Sequence, residues 1–276
     1  LKEVQFSCSS SPNFHFKSIL NRVSMAEIIR YRDLEPARHV PGAKEPGFMR
    51  WLITWVGGPA GHINTNRDVA KVSQNTVVGM MNLPVGQRQK GLHYHSVAEI
   101  YIILRGELEG YDGRGHIPRA GPMDCMYIPA GVPHGVRNSG LEDCDLIWIH
   151  DGIEIVGTSV YYMDGIVTGP PQVDDITIVS FKDLEPSYGA HRAKEVGHMR
   201  WMINWVAGGP GFENFSPSCA APSNNVAIGM TVLQPGQKSV PHSHEDAEVY
   251  VVMRGKGVMN LGNWTVFIFQ LGMCMV

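Results

Sequence analysis

Gly86 to Gly106 reads GQRQKGLHYHSVAEIYIILRG, and this stretch decides the fold. Its second half, Glu99-Ile-Tyr-Ile-Ile-Leu-Arg105, is apolar and rich in β-branched residues, and it stops at Arg-Gly, so it reads as a buried strand. Alternate residues of a strand share a face, so His93 and His95 place two imidazoles side by side. Ser96-Val97-Ala98 reverses the chain and delivers Glu99 at the start of the next strand, with Tyr101 and Ile103 following on the same inward face. Two imidazoles and a carboxylate from adjacent strands make a mixed nitrogen and oxygen site for a divalent first-row metal. Further on, Pro129-Ala-Gly131 allows a tight corner, after which His134 can bring a third imidazole to the same centre. The candidate ligands are therefore His93, His95, Glu99 and His134, which leave two exchangeable positions on an octahedral metal.

Outward from this segment the chain repeats itself. YRDLEP (Tyr31 to Pro36) returns as FKDLEP (Phe181 to Pro186), and GFMRWLITWVGGPAG (Gly47 to Gly61) as GHMRWMINWVAGGPG (Gly197 to Gly211), both at an offset of 150. VVGMMNLPVGQ likewise returns as AIGMTVLQPGQ. After one deleted residue the offset becomes 149 and maps His93-Tyr-His95 onto His242-Ser-His244, and Arg105-Gly106 onto Arg254-Gly255. Such a period is too long for a solenoid and marks a duplicated domain. We therefore expect a leader at 1–24 without a fold role, a first domain at 25–168, a turn-rich linker at 169–175 and a second domain at 176–276. The match decays after Gly262, and Cys274 falls opposite Cys125, so the second copy is expected to lack the segment equivalent to Pro129–Asn138 and its fourth ligand. His242, His244 and Glu248 are then a three-residue second site. Open strand edges there would favour self-association into a homo-oligomer.

Composition sets the outer bounds. The 276 residues are 43% hydrophobic and 18% charged, with a net charge of −3, as in a globular chain with a real core. No Lys/Arg-rich run offers a nucleic-acid surface, and no apolar stretch is long enough to span a bilayer as a helix. The five cysteines are scattered without C-x-x-C spacing, which argues for a reduced, cytoplasmic setting and against a thiolate metal site. Thirty-one glycines and eighteen prolines among short Val-, Ile-, Tyr- and Trp-rich runs point to an all-β fold.

The motifs resemble those of the cupin superfamily, G-x5-H-x-H-x3,4-E-x6-G and G-x5-P-x-G-x2-H-x3-N. Gly236, His242, His244, Glu248 and Gly255 fit the first at every spacing, and the first copy has one extra residue between Gly86 and His93. Pro129, Gly131, His134 and Asn138 fit the second, with Met123 where its opening glycine usually stands and Gly121 nearby to take over the turn. The resemblance implies a bicupin: two tandem double-stranded β-helix (jelly-roll) barrels, the second incomplete, with the metal inside. It also implies Fe or Mn first, with Ni, Cu or Zn as alternatives, and a small-molecule substrate. Members include dioxygenases, decarboxylases, isomerases, lyases and non-catalytic storage proteins. The expected reaction is dioxygenation of a small phenolic or enolic compound, with Glu99 and Tyr101 as candidate catalytic groups. A redox-neutral isomerase, lyase or decarboxylase and a binding or storage protein remain as alternatives. The metal surroundings are expected to be apolar (Ile103, Met80, Trp148), Tyr127 is left undirected, and His150 is expected at the rim. Arg50 and Arg200, beside Trp51 and Trp201, are expected at the interface between the barrels.

Overall fold

A computed structural model describes residues 27–58, 71–154, 158–168, 175–208, 221–243, 247–261, 265–269 and 273–275. The proposed leader, nearly all of the linker, and His244 lie outside these residues. No α-helix occurs among them: the elements are strands and two short 3-10 turns, Tyr31–Asp33 and Phe181–Asp183, which are the two copies of the DLEP segment. The protein is all-β, and no helix is long and apolar enough to cross a membrane among the described residues.

The first copy supplies β1 (Ile28–Arg30), β2 (Leu52–Gly57), β3 (Lys71–Val72), β4 (Val77–Leu83), β5 (Leu92–Tyr94), β6 (Glu99–Arg105) and β7 (Leu108–Tyr111). It continues with β8 (Arg119–Ala120), β9 (Cys125–Ile128), β10 (Gly135–Asn138), β11 (Cys144–His150) and β12 (Val160–Tyr162). The second supplies β13 (Thr177–Val179), β14 (Met202–Gly208), β15 (Ala221–Ser223), β16 (Ile228–Thr231), β17 (Tyr250–Val251), β18 (Gly257–Leu261), β19 (Thr265–Phe269) and β20 (Met273–Met275).

The main sheet runs β13-β9-β6-β11-β4-β2-β3. Its strands are apolar on both faces, as a sheet covered on both sides requires. One parity (Met81, Leu83, Tyr101, Ile103, Met126, Ile128, Leu146, Trp148) packs inside the first barrel. The other (Val78, Ile100, Ile102, Cys125, Ile147, Ile149) packs against Ile203, Trp205 and Val206 of the second copy. The smaller sheet β10-β7-β8 and the pair β12-β5 close the first barrel, joined by isolated bridges between Arg88 and Arg137 and between His93 and His134.

The repeat is visible in hydrogen-bond register. β2 pairs with β4 with an irregularity between Thr54 and Val56, and β14 pairs with β16 with the same irregularity between Asn204 and Val206. In the first copy Cys125 stands opposite Ile102 and Val179; in the second, Cys274 stands opposite Val251 and Ile29. These are the same pairings at the expected offsets. They also show an exchange: β13 of the second copy joins the first copy's sheet, and β1 of the first joins the sheet of β20 and β17. In the first copy β11 lies between β4 and β6. Among the described residues of the second, no strand lies between β16 and β17.

Two details of the sequence reading are corrected. Gly121 does open the turn before β9, its carbonyl accepting from Asp124 N at 3.0 Å, but the left-handed position falls on Met123, with φ 71°. Its N–H donates to Ile103 O at 2.7 Å, and that pairing holds a side-chain-bearing residue where glycine is the easier choice. Met80 lies on the outer face of β4 and packs against the shared core, because it has the opposite parity to Met81. Trp51 and Trp201 do pack against the core between the copies, while Arg50 and Arg200 are exposed.

Candidate metal centre

His93 and His134 exchange both backbone hydrogen bonds, His93 N to His134 O at 2.9 Å and His134 N to His93 O at 2.8 Å. Residues paired in this way point their side chains to the same face, which is how a histidine 41 positions away along the chain reaches the H-x-H strand. Gly131, with φ 79°, turns the chain just before it, and its N–H donates to His95 O at 2.8 Å. Glu99 arrives from β6, opposite Ile128 of β9 and His150 of β11.

The four expected first-copy ligands converge: one ligand atom from each of His93, His95, Glu99 and His134 lies within 4.8 Å of the others. Glu99 Oε2 is 2.8 Å from His134 Nε2, 3.2 Å from His95 Nε2 and 3.9 Å from His93 Nε2. All four residues are buried. The far nitrogens decide what these contacts mean. His134 Nδ1 lies 2.9 Å from Val132 O, and His95 Nδ1 lies 3.0 Å from Glu154 Oε1. A carbonyl and a carboxylate can only accept, so each Nδ1 carries its proton. In a neutral ring each Nε2 is then a bare lone pair aimed at a carboxylate oxygen, an arrangement that needs a cation between the donors. Protons are one answer: pairing with Glu154 and Glu99 outweighs the burial that opposes a charged ring and pushes His95 up to about 10. Burial and the neighbouring imidazoles hold His93 well below its ordinary range. Burial opposes the Glu99 charge, but the three imidazoles of His134, His150 and His95 win and hold its carboxyl well below the ordinary range. A divalent metal is the other answer, and a 3-His/1-Glu set with both outer protons anchored suits one.

His150 is not at the rim. It is buried, its Nε2 lies 3.8 Å from Glu99 Oε1, and its ring centroid is 4.6 Å from that of His95. Strand parity could have found it, since in LIWIH it shares a face with Trp148, which was already expected inside. Glu154 and Tyr161 were also missed. Ser159 Oγ donates to Glu154 Oε1 at 2.5 Å. The Tyr161 ring stacks on His93 at 5.3 Å and is half-exposed, which makes it the wall between site and solvent. Glu154 lies outside regular structure and Tyr161 comes from a short strand laid on β5, so no local pattern marks either. Tyr101 does point inward, as expected, but it is fully buried among Ile103 and Met126. Burial, then the Glu99 charge, raises its hydroxyl well above the usual phenol range. Tyr127 has the opposite parity and packs on the outer face.

In the second copy His242 and Glu248 are exposed, with Nε2 and Oε2 3.7 Å apart. His244 lies outside the described residues. A further group, Asp112, His116 and Asp175, also comes together, but Arg114 occupies it, donating to Asp112 at 3.0 Å and Asp175 at 2.6 Å.

Residues 79–150 match the family model described as Cupin domain. This segment of the chain is similar to that family in sequence. It spans β4 to β11 and holds every residue of the four-ligand cluster and His150. No curated protein matches the chain. Among solved structures, the putative glyoxylate-induced protein from Pseudomonas aeruginosa is similar over 99% of this chain and 87% of its own, at 13% identity and a TM-score of 0.56. That likeness carries the fold across both copies. A double-stranded β-helix protein from Klebsiella pneumoniae is 21% identical over 33% of this chain and 76% of its own, with a TM-score of 0.30. Oxalate decarboxylase from Bacillus subtilis is 17% identical over 49% of this chain and 31% of its own, with a TM-score of 0.34. Such neighbours leave the reaction open, since one fold hosts many chemistries.

Proposed function

We propose that the chain is a metal-dependent oxidoreductase, a dioxygenase acting on a small phenolic or enolic compound at the cluster of His93, His95, Glu99 and His134. The observation that supports metal binding is the anchoring of both outer protons, by Val132 O on His134 and by Glu154 on His95. It leaves two imidazole lone pairs and a carboxylate facing one point with no proton of their own to share in the neutral state. When bound, the metal supplies Lewis acidity, electron transfer and open coordination positions. The protein's part is to hold and shield. Trp148 and Ile103 pack within the first barrel's apolar interior, and Trp148 reaches His150, its ring centroid 5.5 Å away. Tyr161 limits access for water. An enolic or phenolic substrate must lose a proton on binding, and His150 Nε2, beside Glu99 Oε1, is placed to take it.

His150 also favours a second reading, because a base next to the ligands serves a redox-neutral isomerase, lyase or decarboxylase equally well. Elemental analysis of the purified chain, followed by an oxygen electrode with catechols, flavonols and 1,3-diketones, tests both. The dioxygenase reading expects close to one metal equivalent per chain, from the cluster of His93, His95, Glu99 and His134, and substrate-dependent oxygen uptake. Product formation without oxygen uptake moves the assignment to the redox-neutral class. A chain that holds no metal sinks both readings.

A further inference from the structure

The turn that carries Glu99 into the cluster is tied to the other copy. Ala98 N donates to Asp151 Oδ1 at 2.8 Å, and Asp151 N donates to Ala98 O at 3.1 Å. This two-way link joins the residue before Glu99 to the residue after His150. The second carboxylate oxygen, Asp151 Oδ2, is 3.0 Å from Ser223 Oγ, at the end of β15 in the second copy. Ser223 Oγ already accepts from Asn225 N at 3.1 Å and Val226 N at 3.2 Å, so its own proton is the one aimed at Asp151. Both residues are buried, Ser223 at 2% exposure and Asp151 at 7%. The packing around the link is close. A Cβ on Gly152 would lie 2.9 Å from Val97 of the Glu99 turn and 3.7 Å from Asn225 of the second copy.

We propose that Ser223 is a positioning residue for the metal centre: through Asp151 the second copy braces the Ala98–Glu99 turn, so that the first copy's ligand geometry depends on a residue of the second. The proposal rests on reading His93, His95, Glu99 and His134 as metal ligands. A donor carboxylate must be held to within a fraction of an ångström, and the last fixed point before Glu99 is Ala98. With Ser223 in place the Asp151 carboxylate has a partner on each oxygen and one orientation. Without it, the carboxylate can turn away from Ala98 N.

The test is Co(II) titration of the metal-free full-length chain against a competing chelator, in wild type, Ser223→Ala, Asp151→Asn and Ser180→Ala. Ser180 is the control, since its Oγ also bonds across the copies, to Asp124 Oδ1 at 3.2 Å, away from the cluster. Loss of a group that supports a ligand lowers metal affinity roughly tenfold or more. A weakening of about tenfold is therefore expected in Ser223→Ala, with Ser180→Ala within about twofold of wild type. Asp151→Asn keeps an oxygen for Ala98 N but turns an amide toward Ser223, and it should weaken binding as Ser223→Ala does. It also reads the contact if Ser223→Ala fails to fold. Amide exchange at Ala98 in the metal-free protein gives a second readout, expected to quicken in Ser223→Ala. Wild-type affinity and wild-type exchange in Ser223→Ala and Asp151→Asn overturn the brace while leaving the metal centre standing. Equal weakening in Ser180→Ala overturns it as well, by assigning the effect to docking in general. A wild-type chain that takes up no Co(II) removes the metal reading itself, and this proposal with it.

Discussion

At the scale of single residues the centre is defined as much by what anchors the imidazoles as by the ligands. Glu154 fixes the His95 proton on Nδ1 and so keeps Nε2 free to bind a cation. Substituting Glu154→Ala is expected to weaken metal binding about 10- to 100-fold, measured by chelator competition, with little change in secondary structure by circular dichroism. Substituting His134→Ala removes one of the four proposed ligands, and the metal content per chain should fall toward zero in elemental analysis. Away from the site, Glu109 is buried between Arg137 at 2.7 Å and Arg119 at 3.1 Å. The bond from Arg137, ahead of the opposing burial, holds its carboxyl below the ordinary range. A carboxyl lowered in the folded state stabilises above its unfolded value, and that stability is lost as the pH falls through the folded one. Urea midpoints of wild type and Glu109→Gln should therefore differ at neutral pH and converge on acidification. A constant gap down to the acid limit would show that the ion pairs contribute nothing.

Among the elements, β4 and β11 meet beside the cluster through a close approach. Gly79 of β4 stands opposite Trp148 of β11, and a Cβ there would lie 2.1 Å from Ile53 O and 2.4 Å from the Trp148 ring. The Gly79→Ala chain must move the backbone or the indole that lies against His150. It is expected to lose about 1 to 3 kcal/mol of stability in chemical denaturation, with a shift in tryptophan fluorescence. Unchanged stability would mean that the two strands can separate freely. β5 and β6 were legible from alternation alone, because His93, His95, Glu99 and Tyr101 keep strict strand parity. β12, laid on β5 by pairing of Val160 with Tyr94, was not, since a strand of three residues carries too weak a pattern. Parity also moves Met80 from the expected lining to the outer face, because the two adjacent methionines of β4 point to opposite faces.

At the scale of the whole molecule both copies contribute to a shared apolar core, with Trp55, Val56, Trp205 and Val206 almost completely buried. Substituting Trp205→Ala removes both that packing and the indole N–H bond to Met123 O at 2.8 Å, and should cost about 3 to 5 kcal/mol by denaturant titration. Because Met123 leads into β9, the loss is expected to reach the first copy, and a drop in metal occupancy should accompany it. A variant that unfolds only the second copy, leaving the centre loaded, would show the copies to be independent.

The amino-acid sequence alone determined the all-β class, the duplication and its changing offset, and the convergence of His93, His95, Glu99 and His134. The class rests on composition and the other two on spacing along the chain, where for the cluster a strand's period of two and a tight turn at Pro129–Gly131 suffice. Only tertiary structure decided that Glu154 and Tyr161 lie beside the cluster, because an irregular segment and a three-residue strand meet there only after the barrel closes, whereas strand parity already gave His150 its inward face. Tertiary structure alone likewise decided that β1 and β13 change places and that Ser223 reaches Asp151. Those contacts pair residues dozens of positions apart, and no local periodicity encodes which open sheet edge a short strand will choose.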